Sequence, residues 1–119
     1  MRKLTAGAAL AAVFLATTFL SGGPLLADDS EAEATYSRYH RSIEAAKLCR
    51  KLSFDQDAHS RMAGVIHARI EHKIGAKRLR LLTAAQREAK DMVKKQGCDG
   101  AEVMELLALF DSDLAPVLQ

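Results

Sequence analysis

The chain has 119 residues, 49% of them apolar and 27% charged, with two cysteines and no tryptophan. That length makes one domain with a modest core and excludes a multidomain arrangement. Its 17 lysines and arginines exceed its 15 acids by two. Arg2 and Lys3 supply that whole excess, so net charge is no argument for nucleic acid, and none is expected as a partner.

Arg2 and Lys3 precede an apolar run over residues 9–20, which is short for a bilayer crossing; Ser21, Gly22, Gly23 and Pro24 then lead to Leu25-Leu26-Ala27. The pattern predicts a secretory signal peptide over residues 1–27, cleaved after Ala27 and leaving no stable membrane anchor. Without Arg2 and Lys3 the remainder carries 15 basic and 15 acidic side chains. They are unevenly placed, with a basic middle and acidic ends. Residues 28–34 read as a flexible acidic N-terminus, and 35–119 as the helical domain.

A first helix is expected over about residues 33–52. Tyr36, Tyr39, Ile43 and Ala46 share one of its faces, and Ala45, Leu48, Cys49 and Leu52 lie on another. Ser53-Phe54-Asp55-Gln56 has the form of a capping box, opening a second helix over about residues 54–74 that stops at Gly75. Phe54, Ala58, Met62, Val65, Ile66, Ile70 and Ile74 give that helix a wide apolar arc. Gly64 within it suggests a close helix contact. Residues 76–82 read as a basic connector with apolar anchors.

Thr83-Ala84-Ala85-Gln86 is a second capping-box pattern, opening a third helix over about residues 84–96 with a stop at Gly97. Asp99 is then placed to cap a fourth, over about residues 100–110. This last helix is apolar almost all round, through Val103, Met104, Leu106, Leu107, Leu109 and Phe110, which requires cover from the core or from a partner. Leu114, Val117 and Leu118 form an apolar tail able to fold back over it. The expected fold class is all-α, a small bundle of three to four antiparallel helices.

An even pair of cysteines in an exported chain predicts a disulfide between Cys49 and Cys98, because that compartment is oxidising. Closing so long a loop contributes about 4 kcal/mol on the chain-entropy model. The histidines, His40, His59, His67 and His72, include no pair three or four residues apart, the spacing that puts two ligands on one helix face. No metal and no cofactor is therefore expected, and His59 reads as a core histidine. The chain lacks His-Glu-x-x-His, Gly-x-Ser-x-Gly and a phosphate-cradling glycine loop, so it is not expected to be an enzyme.

Leu82-Thr83-Ala84-Ala85-Gln86-Arg87 resembles the LTxxQ motif of the Spy/CpxP-type periplasmic helical stress proteins. The resemblance spans six residues and implies a chaperone or envelope-stress role; a capping box accounts for the same residues without kinship. The expected function is thus a small periplasmic or secreted helical binding protein, chaperone-like or stress-related, that docks a protein partner or a second copy of itself. The apolar residues Leu106, Leu107, Phe110 and Leu114 would form the docking surface, and Lys73, Lys77, Arg78 and Arg80 would orient acidic groups on the partner. The alternative is a small-ligand or metal carrier that uses the bundle interior around His59 and Met62.

Overall fold

The computed structural model describes residues 30–71 and 73–119, so the predicted signal peptide, Asp28, Asp29 and His72 lie outside the described residues. Ala32–Gln119 is one compact unit; of the other, Met1–Glu31, only the last two residues are described. The described residues are helical, with no strand among them. Four α-helices, α1 (residues 30–50), α2 (Gln56–Ile70), α3 (Arg78–Gln96) and α4 (Ala101–Leu109), are followed by a π turn (Phe110–Leu114) and a 3-10 turn (Ala115–Leu118).

Helix α1 contains neither glycine nor proline and starts earlier than its sequence suggests. Ala32 is buried in the core, and the Glu33 carboxylate accepts a 2.7 Å bond from Lys77 Nζ. Residues 32–34 therefore belong to the packed helix rather than to a frayed end. Lys51 ends α1 in the left-handed region, φ 56°, where a residue with a Cβ sits less comfortably than glycine.

Asp55, not Ser53, caps α2: its carboxylate accepts from the Ala58 amide at 2.8 Å. Aspartate caps as well as serine does, so the local pattern does not choose between them. The helix stops at Ile70, four residues before the expected Ile74, because Glu71 turns left-handed at φ 53° and returns its amide to the His67 carbonyl. Ile74 still reaches the core from beyond the helix end. Gly75, at φ +60°, then opens a short 3-10 turn, Gly75–Lys77, that runs directly into α3.

The cap pattern at Thr83 is overridden. Helix α3 starts at Arg78 and passes through Thr83, which is exposed in its interior. Leu81, Ala85, Ala89 and Met92 continue one inward stripe across the supposed boundary, and nothing between residues 78 and 83 breaks a helix. The expected basic connector is therefore mostly the first turns of α3. Gly97 ends the helix at φ +81°. Gly100, rather than Asp99, occupies the cap position of α4, with no side-chain cap bond. A Cβ at Gly100 would fall 2.4 Å from the Gln96 Cβ, so the tight approach requires glycine here.

Two apolar clusters hold these elements together. The larger one packs Tyr36, Tyr39, Ile43 and Ala46 of α1 against Met62, Ile66 and Ile70 of α2, Ile74, and Phe110 and Leu114 of the π turn. The smaller is centred on Ala45, Val103 and Leu106, with Cys49, Met92, Val93 and Leu107 against it. Beside this second cluster the Cys49–Cys98 disulfide joins the last turn of α1 to the α3–α4 turn, across a sequence separation of 49.

Candidate functional site

The predicted docking residues divide sharply. Leu106, Phe110 and Leu114 are buried in the two clusters and Leu107 is partly buried against both. The apolar surface expected of α4 and the tail is thus core of the same chain, because α1 covers it. Polar bonds hold it there. The fully buried Ser42 hydroxyl donates to the Leu106 carbonyl at 2.6 Å, and Arg50 grips Asp111 with both of its terminal nitrogens.

Asp113 gathers three more elements of the same clamp. It accepts from the Tyr39 hydroxyl and the Ser112 hydroxyl, and Arg69 stands 3.5 Å away. These partners hold its carboxyl below the ordinary range, the Tyr39 bond contributing most. Burial, then Asp113, raises Tyr39. Within α4 only Met104 remains a large exposed apolar side chain.

The basic residues lie outside. Lys73, Lys77, Arg78 and Arg80 are all exposed. Lys77 is bonded to Glu33 and Lys73 stands 3.9 Å from Glu71. Arg78 lies close enough to His40 and Tyr36 to act on both electrostatically. Arg80 belongs to a longer feature, because α3 carries it in register with Arg87, Lys90 and Lys94, all exposed on one side of the helix. The opposite side holds the fully buried Ala85 and Ala89, as the 3.6-residue repeat requires. Placing the start of α3 at Thr83 separates Arg80 from Arg87 and hides this strip; the spacing i, i+7, i+10, i+14 was the signal for it.

Cations elsewhere are mostly paired: Arg41 with Glu88 at 3.1 Å, Arg50 with Asp111, and Arg61 with Asp57 at 3.0 Å. Among the described residues, no carboxylate stands within ion-pair distance of Arg80, Arg87, Lys90 or Lys94.

Among the described residues, which leave out His72, no group of three or more His, Cys, Asp or Glu side chains is placed to hold an ion. His59 is exposed and meets Phe54 edge-on, so it is not the core histidine its place in the apolar arc suggests. Met62 is fully buried. The histidine that burial does perturb is His40, whose ring lies 4.4 Å from that of Tyr36. Burial, followed by the proximity of His59, His67 and Arg78, lowers its pKa to about 4. No sequence pattern marks His40, because its surroundings come from α2 and α3.

An open hollow of about 560 Å³ lies where the loop before α2 meets the C-terminal turn, lined by Phe54, Asp55, Asp57, Arg61 and Leu118 among others. Its charges already have work, Asp55 as the α2 cap and Asp57 as the partner of Arg61. Among the described residues no helix is long and apolar enough to cross a membrane. Comparison of the chain with protein-family models, with curated proteins and with solved structures finds no match.

Proposed function

We propose that this chain is an exported, disulfide-stapled helical binding protein of the periplasm, with an envelope-stress or chaperone-like role, that engages an anionic partner through the outer face of α3. The observation that carries the reading is the strip Arg80, Arg87, Lys90 and Lys94, exposed and, among the described residues, without a carboxylate partner. Four like charges side by side repel one another, and a surface of that kind favours a partner of opposite sign. Export is supported by the basic, apolar and small-residue succession of the first 27 residues and by a disulfide that an oxidising compartment preserves. The resemblance to LTxxQ at residues 82–87 supports the stress-related part.

Affinity capture from envelope extract, run with the tagged parent beside Arg87→Gln/Lys90→Gln, tests the reading. A partner retained by the parent, released by salt and lost with the double variant is expected. Capture that the double substitution leaves unchanged refutes it.

A further inference from the structure

We propose that the outer face of α3 docks reversibly on the surface of an anionic lipid bilayer, with Arg80, Arg87, Lys90 and Lys94 over the headgroups and Leu79 seated between them. This rests on the reading of α3 as an anion-facing surface and names what it faces. The four cations run along one side of one uninterrupted helix for about 21 Å, at 1.5 Å per residue. None of the four lines either of the hollows found among the described residues. A convex row of charges gives an acidic peptide no concave seat and no fork-to-fork geometry, whereas a plane of phosphates meets all four at once.

Leu79 points the same way. It is 72% exposed, the most exposed large apolar side chain among the described residues, and by helical spacing it lies on the edge of the strip beside Lys90 and Thr83. The apolar face of α3 is packed inside the protein, so Leu79 is the apolar side chain this helix can set at the level of the headgroups beside the cations. Asp91, at the opposite edge, subtracts one charge. A net of three positive charges and one leucine supports weak, reversible association and no insertion, in keeping with the lack of a spanning helix among the described residues.

The test is co-sedimentation of the disulfide-bonded protein with vesicles of phosphatidylcholine alone or mixed with phosphatidylglycerol, alongside binding to labelled polyglutamate. The proposal expects binding to the anionic vesicles only, with loss on raising salt from about 50 to 300 mM. Arg87→Gln/Lys90→Gln should weaken it about thirtyfold. Lys51→Gln/Arg61→Gln, the same charge change on other elements, should leave it nearly intact. No preference for anionic vesicles, or equal weakening by the two double variants, overturns the proposal. Binding to polyglutamate but not to vesicles overturns the bilayer while keeping an anion-facing α3; binding to neither overturns both.

Discussion

Helix α4 is apolar on nearly every side and α3 is cationic on one, and the fold treats the two in opposite ways. Val103 and Leu106 of α4 are enclosed by α1 and α3, and Phe110 and Leu114 just beyond by α1 and α2. Arg80, Arg87, Lys90 and Lys94 of α3 face solvent and, among the described residues, form no ion pair. Both stretches look in sequence like surfaces awaiting a partner. The difference teaches that an all-round apolar helix states only that it must be covered, whereas an unpaired row of charge remains unsatisfied after the chain has folded.

The cover over α4 depends on the staple, and breaking it is the largest perturbation available. The cluster beside the disulfide is small, built on alanine, valine and leucine. Cys49→Ser/Cys98→Ser should cost about 4 kcal/mol in denaturant unfolding. It should also give the native protein an apolar-dye signal that the parent lacks. A loss below about 1 kcal/mol would show that packing alone holds α4.

Acid attacks the other end of the comparison, the seam between α1, α2 and α3. His40 titrates near 4 in the folded chain, below the ordinary 6.5. As pH falls the unfolded chain takes up that proton first, so stability is full above about pH 6.5 and declines until pH passes about 4. The total reaches about 3 kcal/mol. Asp111 and Asp113, held low by Arg50 and by Tyr39 respectively, add losses only below the ordinary carboxylate range. His40→Gln should flatten the stability curve between pH 6.5 and 4, and an unchanged slope would remove His40 from the account.

Ser42→Ala removes the hydroxyl on the Leu106 carbonyl and should cost about 1 kcal/mol, measurable by urea titration. A neutral result would mean that α4 does not rely on that bond. Smallest and opposite in sign is Gly64→Ala. A Cβ there meets nothing within 4 Å, so no helix packs closely on it, contrary to the contact its position in the apolar arc suggests. The substitution should raise stability by about 0.5–1 kcal/mol, and a thermal scan that shows destabilisation would contradict an open site.

Much of the fold was legible. The Tyr36, Tyr39, Ile43 and Ala46 face, the Gly97 stop and the Cys49–Cys98 bond follow from period, glycine freedom and an even cysteine pair, whereas the tail expected to fold back over α4 packs on α2. What was not legible has physical causes. Lys51 and Glu71 end their helices without glycine because tertiary contacts outweigh local preference. Thr83-Ala84-Ala85-Gln86 satisfies a cap pattern inside a continuous helix, since a four-residue signature yields to a longer apolar stripe. The Asp113 clamp and the His40 surroundings assemble from residues far apart in sequence and leave no local trace. Of the candidate strip only Arg80 was among the residues expected to meet a partner; Arg87, Lys90 and Lys94 were not, because their alignment with Arg80 emerges only once α3 starts at Arg78.

Denaturant unfolding of two variants side by side tests the division between covered and open faces most directly. Phe110→Ala should lose about 3–5 kcal/mol, while Arg87→Gln/Lys90→Gln should stay within about 0.5 kcal/mol of the parent. A Phe110→Ala protein as stable as the parent would place that side chain on the surface and contradict the account.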